Sequence, residues 1–210
     1  MTAPTGASDR FPGFDVLDQA GHWDPVTAGL VMGRVGRPPD IRFFAVAEEA
    51  TATALCDRLL GQDDEPKVLV VPMIDARLAE QETDGWRYDD MPEDGQAWRD
   101  TLRFLDEDSR DRCSHAFAQA PVEDQRAILQ AVQDLKSKDW HGLNAAHVWS
   151  LWTRYACTAF YAHPSAWNEI GFPGPAYPRG YKNPGVDARE PFEVADARPA
   201  NDPVRGEDRG

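Results

Sequence analysis

Disulfide pairs, a basic surface, long apolar runs and glycine-rich phosphate loops are all missing from this 210-residue sequence. Its three cysteines, Cys56, Cys113 and Cys157, are widely spaced and form no CxxC pair. An odd count at such spacing argues against a disulfide framework or a cysteine-based zinc site, so each thiol reads as a small buried apolar group. Positive charge is scarce: 22 Lys and Arg stand against 36 Asp and Glu, a formal charge of −14. Duplexes and anionic membranes are bound mainly through Lys and Arg, so neither is an expected partner. The local cluster Arg34, Arg37 and Arg42 is diluted by Asp40 and two prolines. No stretch approaches the roughly 20 apolar residues of a membrane span. Residues 1–13 carry neither the apolar core of a secretory signal nor an Arg-Arg pair, which predicts a cytoplasmic protein.

What is present is a helical pattern. Trp23-Asp24-Pro25 combines a cap with proline at a first helical position, predicting a short helix over Val26–Val35. Arg37-Pro38-Pro39-Asp40 then breaks the chain. Phe43, Val46, Ala47, Ala50, Ala54 and Leu59 recur at helical spacing, predicting a helix from Ile41 to Leu60 with Gly61 as its cap. Val68–Val71 alone fits a buried strand, but Pro72 and the charged continuation Asp75 and Arg77 favour a helix over Val68–Leu78. Gln81–Asp94 reads as an acidic loop. Trp98, Leu102 and Leu105 mark a helix running to about Cys113. Another covers Pro121–Leu135, with Glu123 and Asp124 where the helix dipole favours acids. The last, Leu143–Tyr161, is apolar on nearly every azimuth, so it is either the central helix or a helix with one side against a partner.

Beyond Pro164 the composition changes. Between Gly171 and Gly210, 13 of 40 residues are proline or glycine, against a background of about 12%. Proline removes backbone donors and glycine weakens order, so this run is neither helix nor central strand. Gly171–Tyr181 intersperses Phe172, Tyr177 and Tyr181 among them, as in a docking segment. From Lys182 onward the chain reads as a loose, charged tail, dispensable from Pro199. The expected fold class is therefore all-α. Residues 1–40 are a loop-rich segment, 41–170 a single helical domain of about five helices, and 171–210 an extended arm and tail.

Catalytic constellations are not found. His141 and His147 are six apart and do not share a helix face at ligand spacing, and there is no HExxH. His163 precedes Pro164, where capping or packing is the ordinary role. Ser165 has no GxSxG elbow around it. Neither GxGxxG nor a Walker sequence occurs, so no nucleotide site is supported. The acidic pairs Asp63/Asp64 and Asp89/Asp90 read as solvated loops.

One block stands apart: His163-Pro164-Ser165-Ala166-Trp167-Asn168-Glu169-Ile170-Gly171-Phe172-Pro173-Gly174-Pro175-Ala176-Tyr177-Pro178-Arg179-Gly180-Tyr181. Upstream stand Arg42-Phe43-Phe44, then Trp98, Leu102 and Leu105-Asp106 on one helix, then Phe117 and Gln125. From Arg42 to Tyr181 the chain resembles the gluconate 2-dehydrogenase subunit 3 family, small subunits that accompany flavin-dependent GMC-type sugar and alcohol dehydrogenases. The resemblance implies a helical, non-catalytic subunit with no cofactor or metal of its own, FAD being carried by the large subunit. It also implies a partner flavoprotein, sometimes joined by a cytochrome subunit. Many members carry a twin-arginine signal. None is visible here, which leaves assembly, stabilisation or active-site shaping as the expected service. The alternative is a stand-alone binding module or a chaperone that does not remain in a dehydrogenase.

The arm fits the same reading from its residues alone. A proline-rich aromatic segment is restricted before it binds, and Tyr and Trp supply large contact areas. The residues expected at the partner surface are Trp167, Phe172, Pro173, Pro175, Tyr177, Arg179 and Tyr181. The competing possibility is that Phe172–Tyr181 folds back over the chain's own core.

Overall fold

The computed structural model describes residues 10–186 and 188–199. The tail beyond Pro199, read above as dispensable, lies outside the described residues, as does most of the N-terminal stretch read for export signals. Among the described residues seven α-helices follow one another: α1 (Pro25–Val35), α2 (Val46–Leu60), α3 (Val71–Ala79), α4 (Asp94–Cys113), α5 (Val122–Asp134), α6 (Ala145–Ala162) and α7 (Pro164–Ile170). Two 3-10 segments, Val16–His22 and Phe117–Gln119, precede α1 and α5. Between α5 and α6 a short antiparallel hairpin pairs β1 (Asp139–Trp140) with β2 (Leu143–Asn144). The all-α expectation holds, with more and shorter helices than expected. Among the described residues no helix is long and apolar enough to cross a membrane.

The chain's contacts divide it into two units, residues 38–160 and residues 1–37 with 161–210. The N-terminal segment carries a 3-10 turn and the one short helix expected of it. Asp24 Oδ1 accepts the Val26 and Thr27 amides at 3.0 and 3.3 Å, which starts α1 as its sequence predicts.

Residues 38–160 pack around Trp98, Trp152, Tyr155, Leu55, Leu102, Leu105 and Phe117, all fully buried. Helix α2 begins five residues later than its apolar spacing predicts. The amides of Arg42, Phe43 and Phe44 are instead donated to the carboxylate of Asp75 on α3, at 2.7, 2.9 and 2.8 Å. Glu48 then reaches back to the Ala45 amide at 2.8 Å, half of a capping box. Helix α3 also starts late, at Val71. Val68 is extended, its amide and carbonyl both held by the Gln62 side chain at 2.7 and 3.1 Å. Asp106 on α4 accepts the Thr51 hydroxyl at 3.1 Å and the Phe117 amide at 3.0 Å, tying α2 to the 3-10 turn. Trp152 donates to Thr101 at 3.0 Å inside the core.

In the other unit Val16, Trp23, Val31 and Trp167 form a small core, with Phe14, Leu17, Ala20 and Ala28 against it. Helix α7 was not anticipated. The His163 ring accepts the Ser165 amide at 3.2 Å at its start, and Gly171 ends it with φ +68°. Asn168 binds this helix to the N-terminal segment, accepting the Val16 amide at 2.8 Å and donating to Asp15 at 3.2 Å.

All three cysteines are free thiols. Cys56 is buried as expected, but Cys113 is half-buried and Cys157 exposed. Cys157 sits on the side of α6 away from its buried residues, which include Val148, Trp152 and Tyr155.

Candidate functional site

The arm leaves α7 and turns onto the N-terminal segment of its own unit. A side chain at Gly171 would place Cβ 2.5 Å from the Phe11 ring. One at Gly174, where φ is +77°, would lie 2.7 Å from Trp23 and 3.1 Å from Val16. Both positions need glycine because backbone and ring approach closely. Trp167 is only 5% exposed and donates its indole N–H to the Tyr161 carbonyl at 2.6 Å. Phe172 stands perpendicular to Trp167, with centroids 5.4 Å apart. Pro173 is buried, and Pro175 and Arg179 are half-buried. The Arg179 guanidinium lies 3.9 Å from the Phe192 ring centre and donates to Gln19 at 2.9 Å.

The seven residues assigned to a partner surface therefore separate by position. Trp167 and Pro173 belong to the interior of their own unit. Phe172 shows part of its ring, while Tyr177 and Tyr181 are 67% and 57% exposed. The segment after Lys182, read as a loose tail, is held through Ala197. Glu190 is buried and accepts the Lys182 amide and, at 2.9 Å, the Asn183 amide. Asp196 pairs with Arg10 at 2.7 Å, and the Ala197 amide bonds the Arg10 carbonyl at 2.7 Å.

A second surface in this unit escaped the sequence reading. Helix α1 buries only Val31 and leaves Val26 and Leu30 71% and 65% exposed, with Met32 and Val35 also exposed. Of the fifteen large apolar side chains exposed among the described residues, ten belong to the unit of residues 1–37 and 161–210. Exposure of large apolar side chains is thus concentrated in this unit rather than spread evenly over both. The signal in the sequence was the run Val26, Leu30, Val31, Met32 and Val35 itself, too apolar for a helix with one inward residue.

Residues 38–160 carry a different cluster around the acidic loop. Tyr155 donates to Asp94 at 2.7 Å, and Arg154 bonds Asp84 at 2.5 Å and Asp94 at 3.4 Å. Arg77 bonds Asp84 at 2.8 Å. The two guanidinium groups sit 4.9 and 5.3 Å from the Tyr155 ring, and Arg154 also lies 4.9 Å from Trp86. His147 stacks on Tyr88 at 3.6 Å and bonds Asp90 at 2.7 Å. Hydrogen bonding from Arg77, reinforced by the Arg154 charge, holds the Asp84 carboxyl below the usual range against the opposing effect of burial. Burial, and then the Asp94 carboxylate, pushes the Tyr155 phenol up.

A shallow cleft with room for only about 10 Å³ opens here between Trp86, Tyr88, Met91, His147, Ser150 and Arg154. That is below the roughly 300–1,000 Å³ typical of small-molecule pockets. Asp84, Asp90 and Asp94 are each bonded to an arginine, an imidazole or a phenol, so the cluster braces the loop on α6. Among the described residues, no three His, Cys, Asp or Glu side chains are grouped to hold a metal ion.

A family model described as gluconate 2-dehydrogenase subunit 3 matches residues 46–174, well over half of the chain. The chain belongs to the gluconate 2-dehydrogenase subunit 3 family. No curated protein and no solved structure matches it. The subunit 3 match runs from the first turn of α2 through the braced loop and α6, and stops inside the arm at Gly174. Trp167, Phe172 and Pro173 lie within it. Pro175, Tyr177, Arg179, Tyr181 and the apolar face of α1 lie outside.

Proposed function

We propose that this chain is the non-catalytic small subunit of a dehydrogenase, binding and stabilising a large FAD-dependent GMC-type subunit that oxidises a sugar or an alcohol. Flavin and substrate belong to the large subunit in this reading. The chain contributes surface: α1 and the arm supply apolar and aromatic contact area, and the cluster around Tyr155 keeps the domain of residues 38–160 rigid. Family membership supports the subunit role. The observation that carries the binding role is the gathering of exposed apolar side chains in one unit, where Val26, Leu30, Tyr177 and Tyr181 stand in solvent.

Anchors of this kind suit an interface core, because aromatic groups bury much area for little lost freedom. The test is co-expression with a GMC-type flavoprotein of the same genome, followed by size exclusion and native mass spectrometry. A single yellow species containing both chains is the expected result. Separate elution, with the flavoprotein folded and flavin-loaded by itself, overturns the proposal and favours a stand-alone module.

A further inference from the structure

Arg179 has an unused edge. Its Nη1 donates to Gln19 at 2.9 Å and its flat face covers Phe192 at 3.9 Å. Its Nε and Nη2 are buried and have no hydrogen-bond partner. Nε and Nη2 form one side of the guanidinium fork, the side that matches the two oxygens of a carboxylate. Arg10 uses that same side in this molecule, holding Asp196 with Nε at 3.0 Å and Nη2 at 2.7 Å. Arg58 and Arg154 also leave Nε unpaired, yet each has a carboxylate elsewhere on its fork, Asp63 at 2.6 Å for Arg58 and Asp84 at 2.5 Å for Arg154. Among the described residues Arg179 meets no carboxylate.

Most of the described arginines pair with a carboxylate, and Arg179 does not. A charged donor pair buried without partners is unfavourable. The arrangement persists because the segment running to Ala197 is strapped over it by Phe192, Glu190 and the Asp196–Arg10 pair. Tyr177 and Tyr181 flank Arg179 in sequence and are exposed, so the unused edge lies in the stretch of chain that carries the aromatic anchors.

The geometry points to Arg179 as the carboxylate-reading anchor of the subunit interface. When the large subunit seats on the arm, an Asp or Glu of that subunit takes the Nε/Nη2 edge as the strap bearing Phe192 shifts. The inference rests on the chain binding a flavoprotein subunit, and it specifies the partner's chemistry: an acidic side chain set among apolar contacts. A single carboxylate read at this point fixes register as well as affinity.

The experiment measures affinity of the full chain for the large subunit at low and high salt, with Arg179→Gln, Arg179→Lys and Phe192→Ala. Arg179→Gln is expected to weaken assembly roughly thirtyfold or more and to flatten its salt dependence. Arg179→Lys recovers only part, since an ammonium cannot make the two-point contact. Phe192→Ala assembles as well as the wild type or better, because it loosens only the cover. In the complex the Arg179 Nε–H proton resonance moves downfield.

If Arg179→Gln assembles like the wild type, the inference falls while the subunit reading stands. If Phe192→Ala weakens assembly as much as Arg179→Gln, the guanidinium serves its own strap and the inference also falls. Should Arg179→Gln misfold by circular dichroism, the lysine variant and the Nε–H resonance decide in the same directions. If the wild-type chains do not associate at all, the subunit reading itself fails and takes this inference with it.

Discussion

The amide of Phe44 donates a 2.8 Å hydrogen bond to Asp75, joining two buried residues that lie 31 positions apart. The Arg42 and Phe43 amides end on the same carboxylate, so one side chain replaces a missing turn of helix ahead of α2. Asp75→Asn keeps the shape but turns a donor toward amide protons. A loss of about 3 kcal/mol is expected, since a charge-assisted bond is lost and a buried amide left unpaired. Urea denaturation followed by tryptophan fluorescence checks it, and a variant as stable as the wild type would show that the carboxylate is dispensable.

His163 gives the fold a dependence on pH. Burial, with the Arg34 charge assisting, holds its pKa below the ordinary value of 6.5, against a backbone hydrogen bond that opposes the shift. The unfolded chain therefore binds the proton more readily than the folded one. Stability is full above about pH 6.5 and is lost as pH falls below it, because the protonated ring cannot accept the Ser165 amide. His163→Asn retains a capping acceptor without the titration. It should match the wild type near neutrality and exceed it in mild acid, read as the difference in thermal midpoint between the two conditions.

Two glycines of the arm separate packing from backbone strain. Both Gly174 and Gly180 have positive φ, but only Gly174 has neighbours within 4 Å of a built Cβ. Gly180→Ala should cost about 1 kcal/mol from conformation alone. Gly174→Ala adds the clash with Trp23 and Val16, bringing the total to about 3 kcal/mol. Hydrogen exchange should show the extra loosening in Val16–Val35 and α7. Equal costs at the two sites would mean that the arm does not seat on Trp23.

Tyr177 and Tyr181 give the opposite separation, because both are largely exposed. Changing both to alanine should leave the thermal midpoint of the free chain unchanged and weaken capture of the flavoprotein by about 2 kcal/mol or more. A variant that folds and still binds fully would confine the arm to covering its own unit.

Thiol reactivity should follow depth. Cys157 is exposed, Cys113 half-buried and Cys56 buried, with burial, then Asp57 and Cys157, pushing the Cys56 thiol up. Iodoacetamide under native conditions should mark Cys157 first, Cys113 slowly and Cys56 only after unfolding, as read by peptide mass spectrometry. Early labelling of Cys56 would contradict the packing of α2.

Signals confined to a few neighbouring residues were legible in the sequence. Asp24-Pro25 started α1 and Gly61 ended α2, both by local cap chemistry. Features set by distant partners were not. The apolar spacing continued the helix of α2 back to Ile41 because nothing local shows that Asp75 will take those amides. Helix α7 is seven residues between Pro164 and Gly171, too short for a period to show. The hairpin turn places His141 and Gly142 at φ +51° and +86°. Gly142 was a hint, but histidine is an uncommon partner for it. The arm was recognisable as a proline-, glycine- and aromatic-rich segment distinct from the helices. That Trp167 is interior could not be read, since the Asn168–Val16 bond spans 152 positions.

The unit bearing the exposed apolar surface is stitched from two stretches of chain, with residues 38–160 between them. During synthesis the intervening unit emerges whole before the second of these stretches does. Val16 and Trp23 must wait for Trp167 and Gly174, more than a hundred residues later. The small core that seats the arm thus comes into being last. A chain halted within α6 would carry α1 but neither Trp167 nor the arm, leaving Val16 and Trp23 without their packing partners.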